Sequence, residues 1–210
     1  MRGRRKTRSV LIAAGSLWLL AVGTGLALLW SYENSPGTGA APPAGWPSDS
    51  GIQRVAGLPT LVMLAHPHCP CTRASIGELD SLMAHCEGRL AAYVLFLKPE
   101  DVPGGWEKSD LWYKAASIPG VTVMADEAGI EALRFHAATS SHTLLYDSEG
   151  RLLFSGGITG SRGHSGDNAG RGAIESLVNR SLSGRAETLV FGCTLLDTTW
   201  GMGETSDATR

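Results

Sequence analysis

The chain has 210 residues, of which 43% are hydrophobic and 18% are charged, and its net charge is -2. This length suits one ordinary domain with an appendage, and the hydrophobic fraction excludes a chain that is disordered throughout. Four cysteines are too few for a disulfide scaffold. The net charge is close to zero, so the composition gives no indication of nucleic-acid binding. The net charge hides a split, because five basic residues precede position 9 and the remainder holds 13 basic and 20 acidic residues.

An uncharged stretch, 10–30, follows a basic stub at 1–9. As a helix it would span roughly 30 Å, about one hydrocarbon core. The positive charges before it, and the lack of Lys or Arg over 31–50, place the N-terminus in the cytoplasm. We therefore predict a single-pass helix in the inner (cytoplasmic) membrane, in contact with lipid, and a domain in the periplasm or exterior. A cleaved signal peptide with a site near 38–41 is the alternative.

Residues 31–53 are rich in proline, glycine, serine and alanine, which is typical of a flexible linker. The folded domain is predicted over 54–196, and 197–210 is predicted to be a disordered tail. The elements expected in the domain, in chain order, are a strand at 61–65, a helix at 71–86, strands at 92–97 and 121–124 separated by a helix at 107–117, a helix at 127–136, a hairpin at 143–155 and a helix at 171–182. This alternation predicts an α/β fold with a mixed central sheet flanked by helices.

The segment 66–71 (HPHCPC) lies where the first predicted strand of the domain ends and its first helix begins. A thiol at a helix N-terminus meets unpaired backbone N–H groups and the positive end of the helix dipole, which lower its pKa. The thiolate is the form that attacks disulfides and binds soft metals. We expect Cys69 to attack as the more exposed thiol and Cys71 to resolve, with the reverse order open because Cys71 is nearer the helix start. Inert core thiols are the alternative.

The two other cysteines lie far from this motif in sequence. Cys86 is on the same predicted helix as Cys71, roughly 22 Å along its axis, which is too far for a disulfide. We predict that Cys86 is a packed structural thiol. Cys193 follows an apolar run, and three roles stay open: a core residue, which is the primary interpretation, a partner for Cys86, or a remote resolving thiol.

The strand, the cysteine motif and the helix together resemble the thioredoxin-like superfamily. Segments 126–135 and 142–151 resemble the second half of membrane-anchored proteins of the TlpA/ResA type, in which a strand ending in Asp-x-x-Gly leads into a hairpin. Segments 66–79 and 154–171 are similar to bacterial proteins labelled RedB. The resemblance covers about 57–182. It implies a thioredoxin-like fold behind one transmembrane helix, and exchange with protein thiols or disulfides outside the cytoplasm.

The sequence departs from that family at two places. The usual Cys-x-x-Cys is here Cys-Pro-Cys, and Ser141 or His142 stands where the redox family has a cis-proline before the hairpin strand. In the family that proline helps to dock substrate and hinders metal binding, so its replacement favours a metal site. Cys-x-Cys with a remote histidine resembles copper chaperones of the Sco type, although those use Cys-x-x-x-Cys, and copper comes first and zinc second. The ligands of this alternative are His66, His68, Cys69 and Cys71. A peroxiredoxin-like site stays open because Cys69-Pro70 before a helix is shared with that group.

A glycine-rich loop at 156–170 follows the predicted hairpin. In thioredoxin-like folds the turn after the last hairpin strand lies beside the cysteines, so the resemblance implies that Arg162, His164 and Asp167 approach them. His164 would serve as acid/base or metal ligand, and Arg162 would steady a thiolate or an anionic substrate. A mobile surface loop is the alternative.

Three functions follow from these observations. The primary expectation is thiol–disulfide exchange without a cofactor, with Cys69, Cys71, His164 and Arg162 as the catalytic residues. The second is binding and delivery of copper or zinc. The third is a thioredoxin-like interaction module with no activity of its own.

Overall fold

The computed structural model of the protein describes residues 2–39, 41–179 and 186–195. It divides the chain into two compact units, the first ending at Ser35 and the second beginning at Pro36. The helices and strands in chain order are α1 (Arg2–Glu33), β1 (Thr60–Ala65), α2 (Pro70–His85), β2 (Ala91–Lys98), α3 (Asp110–Ala116), β3 (Val121–Glu127), α4 (Ile130–Arg134), β4 (His142–Tyr146), β5 (Leu152–Gly156), α5 (Ala169–Asn179) and β6 (Ala186–Glu187).

The first unit contains the single long helix α1. Its portion Thr7–Glu33 is long and apolar enough to cross a membrane, with a mean hydropathy of 2.0 over its most apolar window. Large apolar side chains are exposed along it, Leu17 and Trp18 among them. Length and composition therefore support the predicted anchor, and a signal sequence has the same properties.

The second unit is built on one six-stranded sheet of order β3-β2-β1-β4-β5-β6. The central strand β1 pairs parallel with β2 and antiparallel with β4, and β4 and β5 form the predicted hairpin. Every residue of β1 is buried, as its continuous apolar run requires of a strand covered on both faces. The expected α/β fold with a mixed central sheet flanked by helices is confirmed.

Helices cover the two faces of the sheet unequally. Apolar side chains of α2, α3 and α5 pack with Leu61 and Met63 on one face. On the other face, α4 and irregular segments pack with Val62 and Leu64. Alternate residues of a strand point to opposite faces, so β1 contributes side chains to both cores. The carboxyl end of β1 is therefore held between the two cores.

The stretch predicted as a flexible linker, 31–53, differs from that expectation. Helix α1 extends to Glu33, and side chains among residues 41–53 pack within the second unit. The Trp46 ring packs edge-on against Phe135 and Tyr146, each with centroids 5.2 Å away, and Ile52 is 4% exposed. Its composition resembles a linker because Pro and Gly dominate, but these two apolar side chains cover the core beside α4. The predicted tail at 197–210 lies outside the described residues.

Several loops meet at the carboxyl end of β1. Leu64 pairs with His142, so the residues before β4 lie beside those after β1. Thr143 pairs with Gly156, so the loop after β5 emerges at the same edge. The topology thus gathers segments 66–69, 138–141 and 157–168, which are distant in sequence, at the N-terminus of α2.

Candidate active site

Cys69 immediately precedes α2 and has an extended backbone, with φ -87° and ψ 123°. Pro70 holds the first helical position, where its fixed φ suits the helix and its missing N–H is not needed. The N–H groups of Cys71 and Thr72 then point toward the Cys69 sulfur, because the first N–H groups of a helix have no partner within it. Cys69 is 2% exposed and Cys71 is 6% exposed, so the expectation that Cys69 is the more exposed thiol is wrong.

The environment of Cys69 favours its thiolate. Burial raises the pKa of the Cys69 thiol. Hydrogen bonds from the side chain and the backbone N–H of Cys193 lower it, and so do the backbone N–H groups of Thr72 and Cys71. The lowering prevails, and the pKa of Cys69 lies below the ordinary value of a cysteine. A partly desolvated thiolate held by N–H groups is a nucleophile for disulfide sulfur.

The sequence left three roles open for Cys193, and only that of a remote resolving thiol places it at this site. Its sulfur lies 2.8 Å from the sulfur of Cys69, and it is half-buried rather than part of the core. The primary interpretation of Cys193 as a core residue is therefore wrong. A partnership with Cys86 is excluded as well, because Cys86 lies at the far end of the helix that Cys69 precedes. No local pattern indicates this contact, since 124 positions separate the two residues.

Charge is distributed unequally between these two sulfurs. Burial, the hydrogen bond with Cys69 and the charges of Cys69 and Cys71 raise the pKa of Cys193 to about 12. When the pair carries one negative charge, the shared proton therefore resides on Cys193 and the charge on Cys69. A thiol–thiolate pair of this kind stabilises the attacking form of Cys69.

Cys71 also interacts with the Cys69 sulfur, but its own pKa is raised rather than lowered. Burial raises the pKa of the Cys71 thiol, and the charge and hydrogen bond of Cys69 raise it further. The Arg162 guanidinium and the backbone N–H of Gly163 lower it without cancelling that effect. Arg162 Nη1 also donates to the carbonyl oxygen of Gly192 at 2.7 Å. The structure thus brings Arg162 next to the thiols, as the loop resemblance implied.

The other two loop side chains expected near the cysteines are exposed. Arg162 and the backbone N–H of Gly163 lower the pKa of Cys71, whereas a role for the exposed His164 stays a prediction. Asp167 is exposed and pairs with Arg171 at 3.1 Å. Gly163, where φ is +68°, lies in a turn between Arg162 and these two residues, closed by the His164 N–H and the Ser161 carbonyl oxygen.

A buried carboxylate holds the base of the glycine-rich loop. Glu78 of α2 is 4% exposed and accepts the Gly166 N–H at 2.7 Å and the Asn168 side-chain amide at 3.1 Å. The Arg171 guanidinium donates to the same carboxylate at 2.5 Å. These three bonds attach the loop to the helix that carries Cys71, so its base is anchored rather than a free surface turn.

Two imidazoles and an indole form a rim next to Cys69. The ring centroid of Trp106 lies 4.6 Å from that of His68 and 5.5 Å from that of His66. The His68 backbone N–H donates to His66 Nδ1 at 3.2 Å, and His68 Nε2 lies 3.2 Å from the Trp106 carbonyl oxygen. Burial lowers the pKa of His66, and the neighbouring His68 lowers it further. This rim offers a partly apolar surface beside the thiols.

Ser140 ties the segment before β4 to the active-site turn. Its hydroxyl oxygen accepts the His66 N–H at 2.8 Å and lies 2.9 Å from the buried Thr72 hydroxyl. The next residue, Ser141, has φ +71° and donates its N–H to the Leu64 carbonyl oxygen at 2.7 Å. Of the two residues at the place where the resemblance expects a proline, Ser141 is therefore buried with a left-handed backbone.

His142 is buried and does not face the thiols. Its Nε2 lies 2.9 Å from the hydroxyl of Ser155 on the neighbouring strand. Burial lowers the pKa of His142 to about 4, so the imidazole is neutral at physiological pH. We assign it a structural role in the sheet.

Within residues 2–39, 41–179 and 186–195, no group of three or more His, Cys, Asp or Glu side chains is arranged to hold a metal ion. Of the four predicted ligands, His68 already engages a backbone carbonyl oxygen and the two sulfurs are buried. The copper or zinc site therefore stays a prediction, to be tested by metal analysis after reconstitution.

Cys86 ends α2 and is fully buried in the core formed with α5. Burial raises the pKa of its thiol, and the charge of Glu175 raises it further. The prediction that Cys86 is a packed structural thiol is confirmed.

Solved structures of other proteins resemble this architecture. No protein-family model and no curated protein matches the sequence. A conserved uncharacterized protein from Geobacillus kaustophilus is similar in structure, with 20% identity, a TM-score of 0.54, and coverage of 77% of this chain and 91% of that one. A hypothetical protein from Sinorhizobium meliloti has 18% identity, a TM-score of 0.54 and coverage of 77% and 93%.

An exposed lipoprotein thioredoxin from Streptococcus pneumoniae is also similar, with 18% identity, a TM-score of 0.41 and coverage of 59% of this chain and 85% of that one. The fold is thioredoxin-like. In this thioredoxin-like domain the cysteine motif, the residues before β4 and the loop after β5 converge at one end of the sheet. At these identities the likeness describes the fold, and function must be argued from the site.

Proposed function

We propose that this protein is a thiol–disulfide oxidoreductase in which Cys69 is the attacking thiol. One observation carries the proposal: Cys69 precedes α2, and N–H groups and the Cys193 thiol hold its pKa below the ordinary value despite burial. A buried thiol without such partners would have a raised pKa, as Cys86 has, and would be a poor nucleophile.

The chemistry is an exchange of disulfide bonds. The Cys69 thiolate attacks one sulfur of a substrate disulfide, forms a mixed disulfide and releases the other sulfur as a thiolate. A second protein thiol then attacks the Cys69 sulfur and releases the remaining substrate thiolate, so two electrons reach the substrate. Cys71 supports this role because its thiol interacts directly with Cys69. The reverse sequence oxidises a dithiol substrate.

Proteins are the proposed substrates. The rim of His66, His68 and Trp106 gives a partly exposed, partly apolar surface next to Cys69, suited to the backbone and side chains of a polypeptide rather than to enclosure of a small molecule. Arg162 beside the thiols steadies the negative charge that passes between sulfur atoms.

We further propose that α1 anchors the domain to the inner membrane with the domain outside the cytoplasm. The apolar span Thr7–Glu33 supports an anchor, and the basic residues before it support this orientation. Disulfide exchange is favoured in that compartment because thiols there are not kept reduced. The finer proposal is a protein of the TlpA/ResA type, similar to those labelled RedB.

A glutathione adduct tests the attacking thiol. We would incubate the reduced full chain, in detergent micelles, with oxidised glutathione and measure its intact mass. In the Cys71→Ser/Cys193→Ser double variant we expect one adduct per chain, located on tryptic peptide 55–73, which contains Cys69.

Adding Cys69→Ser should abolish the adduct, while the matched control, Cys86→Ala introduced into the same double variant, should retain it. Absence of an adduct at Cys69 in the double variant would overturn the proposed function.

A further inference from the structure

A third thiol lies against the sulfur of Cys69, outside the Cys-Pro-Cys motif. The Cys193 sulfur is 2.8 Å from that of Cys69, and Cys193 is half-buried whereas Cys69 is 2% exposed. The more exposed residue of this pair is therefore the one far away in sequence.

The backbone holds Cys193 in this position. The Ser140 N–H donates to the Cys193 carbonyl oxygen, and the Leu195 N–H donates to the Ala138 carbonyl oxygen, each at 2.8 Å. These bonds pair the segment antiparallel to the residues that precede β4. A Cβ atom at Gly192 would lie 2.0 Å from the Ser140 carbonyl oxygen, so only glycine permits the approach. The placement of Cys193 is thus built by main-chain pairing and not by a side-chain rotamer alone.

The geometry points to Cys193 as a catalytic thiol, which resolves the mixed disulfide on Cys69 and leaves the oxidised protein with a Cys69–Cys193 disulfide. This inference rests on the proposed function, because it requires Cys69 as the attacking thiolate. The oxidant is a substrate disulfide, R–S–S–R′.

The bonds and electrons balance over two steps. First, the Cys69 thiolate forms a bond to the R sulfur and the R–S–S–R′ bond breaks, so R′ leaves as a thiolate and takes the proton of Cys193. Second, the Cys193 thiolate bonds to the Cys69 sulfur and R leaves as a thiolate, which solvent protonates. One substrate disulfide is reduced to two thiols, and two protein thiols are oxidised to one disulfide.

The high pKa of Cys193 does not oppose this role, because part of its cause disappears during the first step. After burial, the hydrogen bond and the charge of Cys69 raise the pKa of the Cys193 thiol most. Both are lost once Cys69 is in a mixed disulfide, while Arg162 continues to lower that pKa. Cys193 becomes easier to deprotonate at the stage when its thiolate is needed.

Ring geometry favours Cys193 over Cys71 as the final partner. A Cys69–Cys71 disulfide would close a small ring across Pro70, and strain makes such a bond easier to reduce. Cys193 lies on a separate segment, so its bond to Cys69 closes no such ring. Cys71 therefore remains a thiol in the oxidised protein.

Peptide mapping of the oxidised full chain tests this assignment. After oxidation by glutathione and alkylation of free thiols, trypsin yields peptide 55–73, with Cys69 and Cys71, and peptide 186–210, with Cys193. A Cys69–Cys193 disulfide joins the two peptides, whereas a Cys69–Cys71 disulfide lies within one. We expect joined peptides with Cys71 alkylated, in the wild type and in Cys71→Ser.

Two other outcomes are distinguishable. An oxidised protein with an internal disulfide in peptide 55–73 and alkylated Cys193 would overturn the inference and leave the proposed function standing. A protein whose Cys69 is still alkylated after oxidation would overturn both.

The lifetime of the glutathione adduct provides a second readout that does not depend on the final disulfide. In Cys71→Ser the adduct on Cys69 should disappear at least about 100-fold faster than in Cys71→Ser/Cys193→Ser, since an adjacent thiol has a high effective concentration. Equal lifetimes in the two variants would contradict a role for Cys193 in resolution. Cys71→Ser/Cys86→Ala is the matched control and should behave like Cys71→Ser.

Discussion

The sulfur atoms of Cys69 and Cys193 lie 2.8 Å apart in the fold, although 124 positions separate the two residues in the sequence. The helix start supplies N–H groups to Cys69 from its own turn, and the segment that carries Cys193 supplies a thiol and a further N–H from elsewhere. The acidity of Cys69 is therefore a property of the assembled domain and not of the Cys-Pro-Cys motif alone.

Replacement of Cys193 by alanine should raise the pKa of Cys69. The variant removes the side-chain hydrogen bond that lowers this pKa, while burial still raises it. The measurement is the rate of Cys69 alkylation as a function of pH, followed by mass spectrometry of peptide 55–73. The curve should move to higher pH in Cys193→Ala and stay in place in Cys86→Ala. An unchanged curve in Cys193→Ala would show that the contact does not stabilise the thiolate.

Replacement of Arg162 by glutamine should slow the resolution step. The guanidinium lowers the pKa of Cys193, the proposed resolving thiol, as well as that of Cys71, so its loss leaves Cys193 more fully protonated. We expect a longer-lived glutathione adduct on Cys69, with the lifetimes converging at high pH where both thiols ionise. Arg73→Gln is the control, because Arg73 is exposed and its Nη2 lies 2.6 Å from Oδ2 of Asp110. Equal lifetimes for Arg162→Gln and the wild type would contradict this role.

Replacement of Glu78 by glutamine should destabilise the domain by about 1–3 kcal/mol, because a largely buried guanidinium loses its closest charged partner. The side chains of Glu78 and Arg171 are 5% and 17% exposed. The free energy of unfolding by denaturant measures the effect. Asp167→Asn is the matched control: Asp167 contacts the same guanidinium but is fully exposed, so its loss should matter little. Equal effects of the two substitutions would rule out Glu78 as the anchor of the loop.

His142 should make the domain less stable at acidic pH. Burial lowers its pKa from 6.5 to about 4. Between these pH values the unfolded chain binds a proton that the folded chain excludes, so stability falls as the pH decreases. The full effect is about 3 kcal/mol, reached below pH 4. In His142→Gln the free energy of unfolding should depend less steeply on pH over this window. A dependence equal to that of the wild type would refute the assignment.

Local patterns in the sequence predict much of this architecture. The apolar run at 61–65 and the stripe that includes Ile76, Leu79 and Leu82 identify β1 and α2, because burial has the same period as the backbone. The Cys-Pro-Cys motif lies between these two elements, so the sequence also predicts Cys69 at the N-terminus of α2. The core position of Cys86 follows from its place on the buried side of that helix.

Contacts between distant segments are what the sequence leaves undetermined. Nothing around Cys193 distinguishes a core thiol from a site thiol, because its place depends on main-chain pairing with 138–140. The stretch before β1 reads as a linker from its composition, although Trp46 and Ile52 are apolar residues that would favour burial. His164 and Arg162 are equivalent by position in the loop, and the sequence does not predict that Arg162 acts on the thiols while His164 is exposed.

A redox titration tests the central claim most directly, namely that Cys69 is the reactive thiol of an exchange enzyme. The full chain is equilibrated over a range of reduced-to-oxidised glutathione ratios, and the free fraction of each cysteine is quantified by alkylation and mass spectrometry. We predict one two-electron transition in which Cys69 loses its free thiol together with one partner, while Cys86 stays reduced throughout. A Cys69 that remains free across the entire range would contradict it.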